Sequence, residues 1–139
     1  MSENLSATER FDLGGRVFVI TGGGGLLGAK HAEAIASARG VAVVVDINHQ
    51  AAERVAADVG TRYASHAMAV QCDITKPAEV EKLLATVLER FGRVDGLINN
   101  AANNPKVEDT NSRSFSRLED FPLEQWEDDV AVGLTGAFL

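Results

Sequence analysis

A short apolar strand that leads directly into a cluster of glycines is the feature that most constrains this chain. Residues 16–28 read RVFVITGGGGLLG, and helix-forming residues follow. Gly22 permits a sharp turn, the middle glycines permit close approach of a pyrophosphate, and Gly28 lets the next helix pack near the strand. The helix N-terminus adds free N–H groups and the positive end of its dipole. The segment predicts a phosphate-binding turn, although the pattern alone is equally compatible with a flexible turn.

A carboxylate follows the second apolar run, where a ribose would require it. Residues 41–46 read VAVVVD, and Asp46 lies 24 residues after Gly22. An Asp at the end of the second parallel strand accepts hydrogen bonds from the adenosine ribose and repels a 2′-phosphate. Alternatively, Asp46 caps the next helix or opens a turn with Asn48. Because the glycines lie upstream, we favour the ribose role, which predicts NAD in preference to NADP.

Apolar runs alternate with helical patterns along the chain. Strands separated by helices predict a parallel sheet in an α/β fold. Right-handed crossovers place the strands in the order 3-2-1-4, the first half of a Rossmann-type doubly wound fold. The predicted strands are 16–21, 41–46, 67–72 and 94–99, and the predicted helices are 26–39, 49–59 and 76–91.

The helix at 76–91 has the clearest signals. Thr75 is the expected cap, Pro77 lies in the first turn, and Gly92 ends the helix. A further helix, the last in the chain, is expected to begin at Pro122. The apolar stripe of the first helix is expected to be buried and comprises Val80, Leu83, Leu84, Val87, Leu88 and Phe91.

Composition restricts the setting in which the chain works. It is 45% hydrophobic with one cysteine, Cys72, which we expect to be a buried apolar residue in a cytoplasmic protein. No apolar stretch approaches membrane-spanning length, so we expect no membrane insertion. A net charge of −7 argues against nucleic acid as a partner. We expect residues 1–12 to form a flexible arm and residues 13–139 one dinucleotide-binding domain.

Two further motifs carry a family resemblance. Residues 72–75 read CDIT and residues 99–102 read NNAA. With TGGGGLLG upstream, they resemble the short-chain dehydrogenase/reductase family, from about Phe11 to Leu139. The resemblance implies hydride transfer between a nicotinamide cofactor and a small alcohol or carbonyl substrate. The spacing of His31, His49 and His66 does not suggest a metal site, so we expect no metal.

The resemblance also implies roles for individual residues. Asp73 would accept a hydrogen bond from the adenine amino group, with Ile74 against the ring, and Asn100 would line the cofactor. From the residues alone, Asp73 opens an Asx turn and the asparagines satisfy backbone groups at a strand end. The expected cofactor contacts are Gly22, Gly25, Leu26, Leu27, Gly28, Asp46, Ile47, Asp73, Ile74, Asn100, Ala101 and Ala102.

Two positions depart from the family pattern. Leu26 stands where the common branch has glycine, and the glycine spacing is that of the extended, epimerase-like branch. The other motifs favour the common branch. Gly133 stands where the family usually has the Asn of a proton relay. Glycine within a helix lowers helix stability by about 1 kcal/mol relative to alanine, so this residue suits neither a helix nor a relay.

The catalytic Ser, Tyr and Lys that the resemblance implies, the last two in a YxxxK motif, are not found in these 139 residues. The one tyrosine is Tyr63, and Ala67 stands four residues later. We therefore expect the amino-terminal, cofactor-binding half of an NAD-dependent oxidoreductase, truncated before that motif, inactive alone and homo-oligomeric when complete. The polar stretch at 102–121 is expected to border the substrate site. The alternatives are a non-catalytic nucleotide-binding module and an extended-branch epimerase or dehydratase.

Overall fold

Four parallel strands form one sheet in the order β3-β2-β1-β4, which confirms the predicted order. The structure is a computed structural model that describes residues 10–103, 119 and 121–139. Within those ranges, no helix is both long enough and apolar enough to cross a membrane. The strands are β1 (Val17–Thr21), β2 (Val41–Asp46), β3 (Ala67–Gln71) and β4 (Gly96–Ile98), and the helices between them are α1 (Leu26–Ser37), α2 (His49–Tyr63) and α3 (Pro77–Phe91).

The core lies on both faces of the sheet. Val43 and Val44, neighbours in β2, are both fully buried because they point to opposite faces and each face is covered by helices. Parallel strands covered in this way are continuously apolar and do not alternate with polar residues. One face packs against α3 through Leu83 and Val87, and the other packs against α1 and α2 through small side chains. Cys72 is buried on the face that packs against α3, as predicted.

Helix α3 has the predicted ends with one exception. Pro77 is its first residue, and Gly92 ends it in a left-handed conformation with φ of 73°. Thr75 is not the cap: Lys76 occupies that position without a side-chain cap bond. The Thr75 hydroxyl instead donates to Asp73 Oδ1 at 2.6 Å, and this bond takes the hydroxyl away from the helix.

The apolar stripe of α3 is only partly buried. Leu83 and Val87 are buried, but Leu84 and Leu88 are 50% and 43% exposed. Leu84 lines an apolar groove beside β4, together with Leu97. The predicted burial of the whole stripe is therefore wrong for Leu84 and Leu88, because β4 lies at the edge of the sheet among the described residues.

A long helical segment closes the described chain. Helix α4 (Leu123–Val130) begins directly after Pro122, as predicted, and none of its residues is buried. The segment continues through a π-helical stretch at Ala131–Thr135 into a final α-helical turn at Gly136–Phe138. The π-helical stretch contains Gly133. Such widenings occur often at functional sites.

Two glycines in this segment are expected to respond in opposite ways to alanine. At Gly133 an added Cβ meets no atom within 4 Å, so Gly133→Ala should raise the free energy of unfolding by about 0.5–1 kcal/mol through helix propensity. At Gly136 the Cβ would lie 2.8 Å from the Ile74 side chain, so Gly136→Ala should lower that free energy. Urea unfolding of both variants tests this pair, and equal shifts would contradict it.

Candidate functional site

An open cleft of about 530 Å³ lies at the carboxyl ends of the strands. Its volume is in the range of small-molecule sites. The cleft brings together all twelve residues that the sequence analysis named as cofactor contacts. Four further lining residues are not among the predicted cofactor contacts, and they are Val45, Cys72, Asn103 and Val132. Of these, Asn103 belongs to the predicted substrate-bordering stretch.

Sequence position indicates some of these four residues better than others. Val45 and Cys72 directly precede Asp46 and Asp73, so their positions at strand ends could have indicated them. Val132 comes from the π-helical stretch and directly precedes Gly133, where the family usually has the relay Asn, so the resemblance could have indicated it. Residues 104–118 and 120, which make up most of the predicted substrate-bordering stretch, lie outside the described residues.

Gly22 forms the sharp turn at the end of β1. Its φ is +61°, and a Cβ at this position would lie 2.8 Å from the Cα of Ala101. Glycine is therefore required both by the backbone conformation and by the lack of space. Helix α1 begins directly after Gly25, and its first turn leaves N–H groups without partners inside the helix.

The middle glycines differ in their surroundings. A Cβ at Gly23 would lie 2.7 Å from Val44 Cγ1, and a Cβ at Gly24 would lie 2.7 Å from the Ala51 Cβ. Neither of these two lines the cleft, so packing against β2 and α2 requires them, and the expected approach of a pyrophosphate is corrected for them. Gly25 does line the cleft, and its expected role stays a prediction. Gly28 packs on the backbone of the turn, as predicted.

Both carboxylate oxygens of Asp46 accept backbone hydrogen bonds. Oδ2 accepts from the Gly24 N–H at 3.0 Å, and Oδ1 accepts from the Asn48 N–H at 2.9 Å. The alternative that Asp46 caps α2 is wrong, because Asn48 caps it by accepting from the Ala51 N–H at 3.1 Å. The alternative turn with Asn48 is present. Each carboxylate oxygen can accept a further hydrogen bond, so the turn does not exclude a ribose contact.

Asp73 is held as a charged acceptor. Its Oδ1 accepts from the Thr75 N–H at 3.0 Å as well as from the Thr75 hydroxyl, which gives the Asx turn of the alternative interpretation. Lys76 Nζ lies 3.1 Å from Oδ2. The Thr75 hydrogen bonds and the Lys76 charge lower the pKa of Asp73. Asp73 therefore presents an ionised carboxylate at the cleft at neutral pH.

Asn100 fixes the end of β1. Its side-chain amide donates to the carbonyls of Thr21 and Gly22 at 2.9 and 3.1 Å. The buried Thr21 hydroxyl oxygen in turn accepts from the N–H groups of Asn100 and Ala101, both at 3.1 Å. These bonds satisfy backbone groups at the strand end, as the alternative interpretation held, and they also hold the Gly22 turn against the cleft.

Tyr63 lies away from the cleft. Its hydroxyl donates to Glu33 Oε1 at 3.0 Å, in a network with Lys30 and Arg62 that joins α1 to α2. Hydrogen bonds from Lys30 and Tyr63 lower the pKa of Glu33 to about 2. Among the described residues, the cleft lining contains neither tyrosine nor lysine.

Comparison with known proteins agrees with this architecture. The D-threitol dehydrogenase of Mycolicibacterium smegmatis is 30% identical over 138 residues, which cover 99% of this chain and 49% of that protein. A crystal structure of an NADPH-dependent 3-quinuclidinone reductase from Rhodotorula rubra has a TM-score of 0.80 at 32% identity and covers 96% of this chain and 47% of its own. NAD⁺-bound xylitol dehydrogenase has a TM-score of 0.76 at 28% identity, with coverages of 93% and 45%.

The chain spans about half the length of the curated relatives it matches. The family model described as short chain dehydrogenase matches residues 16–139, which is most of the chain. The sheet order, the glycine turn and the cleft at the strand ends all lie within that match. The chain therefore belongs to the short-chain dehydrogenase/reductase family.

Proposed function

We propose that the cleft binds NAD and that the complete protein transfers a hydride between NAD and an alcohol or carbonyl carbon of a small molecule. The observation that carries this proposal is the meeting of the Gly22 turn, Asp46 and Asp73 in one cleft. The Gly22 turn suits a pyrophosphate, Asp46 suits the adenosine ribose, and Asp73 suits the adenine. These groups follow one another in a dinucleotide in the same order as the three residues along this chain. The gene sequence beyond the codon for Leu139 tests the proposal, because a following strand with Ser and then YxxxK would support it.

The residues of the cleft fit such a cofactor. Backbone N–H groups at the start of α1 suit a pyrophosphate. The carboxylates of Asp46 and Asp73 offer acceptors to ribose hydroxyls and to an adenine amino group. Ile47, 66% exposed at the cleft, and the buried Ile74 supply apolar surface for a base. Bound NAD would supply the hydride acceptor, and this chain's own residues would bind and orient it.

NAD is expected to bind about ten to a hundred times more tightly than NADP. A 2′-phosphate next to Asp46 would lose charge-assisted hydrogen bonds worth about 1.5–3 kcal/mol. The solved relatives include both NADPH-dependent and NAD⁺-bound enzymes, so family membership does not set the preference, and our prediction rests on Asp46. Isothermal titration calorimetry with both cofactors measures it.

A matched pair of smaller ligands controls this measurement. ADP and its 2′-phosphorylated form differ only at the ribose, so the same preference between them would assign the effect to the adenosine half. Equal or tighter binding of NADP would contradict the prediction.

A second candidate function is a cofactor-binding module without turnover. It is favoured by the cleft lining, which lacks tyrosine and lysine among the described residues, and by Gly133, which stands where the family usually has the relay Asn. A stop codon directly after Leu139 would support this candidate. The epimerase or dehydratase alternative depends on glycine spacing alone, and we do not propose it.

We further propose that the complete protein is a cytoplasmic homo-oligomer with residues 13–139 as its dinucleotide-binding domain. The free, buried Cys72 suits a reducing compartment. The net charge of −7 disfavours nucleic acid as a partner, so we propose small-molecule ligands.

A further inference from the structure

The carboxylate of Asp46 joins three segments of the chain without any bound molecule. Its bond to the Gly24 N–H connects the end of β2 to the glycine turn, 22 residues earlier. Its bond to the Asn48 N–H fixes the residue that caps α2. We propose that Asp46 is a positioning residue that holds the turn at Gly24, between the cleft-lining Gly22 and Gly25, in one ordered conformation.

The neighbours of Gly24 are held by other means. The Gly23 N–H donates to the Val45 carbonyl at 2.8 Å, and the Gly25 N–H donates to the Gly22 carbonyl at 3.2 Å. These are backbone bonds that a side-chain substitution does not remove. The Gly24 N–H donates to the Asp46 side chain, so of the N–H groups of Gly23, Gly24 and Gly25 this one depends on a side chain. A run of glycines has high conformational freedom when released, so this one bond restricts the turn considerably.

The carboxylate therefore acts on two properties that a substitution would change together. Its charge disfavours a 2′-phosphate, and its hydrogen bonds keep the turn ordered. Removing the carboxylate relieves the first effect but releases Gly24. We infer that replacing Asp46 alone does not produce a tight NADP site, because the pyrophosphate loses its ordered turn. Only this consequence rests on the proposed function; the positioning role concerns the ligand-free protein.

Amide hydrogen exchange in the ligand-free protein, followed by NMR, tests the positioning role directly. In Asp46→Ala, exchange at Gly24 and Asn48 is expected to be at least about tenfold faster than in the unaltered protein. Exchange at Gly23 is expected to stay unchanged, because the Val45 carbonyl still holds it. Asp46→Asn keeps one acceptor oxygen and should leave one of the two amides protected. Asp58→Ala removes an exposed α2 carboxylate that pairs with Arg62, and it controls for the change in net charge.

Titration with inorganic pyrophosphate, which has no ribose, provides the second readout. Loss of a nearby negative charge would by itself strengthen binding, whereas loss of the ordered turn weakens it. We expect Asp46→Ala to bind pyrophosphate several-fold more weakly than the unaltered protein. Unchanged exchange at Gly24, or tighter pyrophosphate binding by the variant, would overturn the positioning role. If the exchange pattern is as expected but the unaltered protein binds no NAD, the proposed function fails and the positioning role stands.

Discussion

Replacing Gly22 by valine is expected to weaken NAD binding at least about a hundredfold while helix content is retained. A β-branched residue is strained at φ of +61°, and its Cβ would lie 2.8 Å from the Cα of Ala101. Both effects move the turn that the Asn100 amide holds at the edge of the cleft. Titration calorimetry with NAD and far-ultraviolet circular dichroism measure the two quantities.

Gly92→Val is the matched control for this variant. Gly92 has a similar φ of +73°, and a Cβ there meets no atom within 4 Å, so the substitution strains the backbone without touching the cleft. NAD affinity should therefore survive in Gly92→Val. Unchanged affinity in Gly22→Val would show that the glycines are only a flexible loop, and equal loss in both variants would assign the effect to general destabilisation.

The sheet order could be predicted because its cause is present in the sequence. The run at 41–45 is apolar throughout, and this part of β2 is buried on both faces as that pattern requires. The ends of elements were less predictable, because tertiary contacts set them. Strand β4 begins at Gly96 and not at residue 94. The Asp95 N–H donates to the Val17 carbonyl at 2.8 Å, but the Val17 N–H donates to the Asp95 side chain, also at 2.8 Å, and not to a backbone carbonyl of this segment.

Helix α2 shows the same limitation. It was predicted to end at residue 59 but continues to Tyr63, and Ala64 caps it with a left-handed φ of 49°. Tyr63 and Arg62 both bond to Glu33 on α1, and these contacts stabilise the last turn. Glu33 lies about 30 residues earlier in the chain, so local sequence could not reveal the contact.

The cleft was predicted to the extent that its residues belong to motifs at strand ends. Parallel strands bring their carboxyl ends to one edge, so Asp46, Asp73 and Asn100 meet there whatever their separation in sequence. Val132 reaches the same place through the packing of the last helical segment, where Gly136 allows close contact with Ile74. Gly136 follows Gly133 by three residues, in the stretch that the resemblance marks, but its contact with Ile74 depends on three-dimensional packing that local sequence does not show.

A polypeptide of residues 1–139 alone is expected to show no dehydrogenase turnover with alcohol or carbonyl substrates. Acid–base catalysis contributes about a hundredfold to ten-thousandfold in rate, and it needs a suitable group at the cleft. Tyr63, the one tyrosine, is bonded to Glu33 between α1 and α2. Lys30 and Lys76 are paired with carboxylates, and neither lines the cleft. NADH absorbance in the presence of NAD and a panel of alcohols measures the rate.

The same polypeptide is expected to associate in solution. β4 is an edge strand among the described residues, and Leu84 and Leu97 beside it are 50% and 56% exposed. Trp126 on α4 is 56% exposed as well. Strand edges and apolar surfaces of this kind recruit other chains. Size-exclusion chromatography with light scattering should therefore show oligomers or poorly soluble material.

Tyr63→Phe provides the control that separates these expectations from a hidden activity of the short polypeptide. If Tyr63 has no chemical role, the variant loses its hydrogen bond to Glu33, and the rate of NADH production stays at background in both proteins. A measurable rate that Tyr63→Phe abolishes would place the chemistry on α2. Steady NADH production by a clean monomer would overturn both the assignment of acid–base catalysis to residues outside these 139 positions and the expected association.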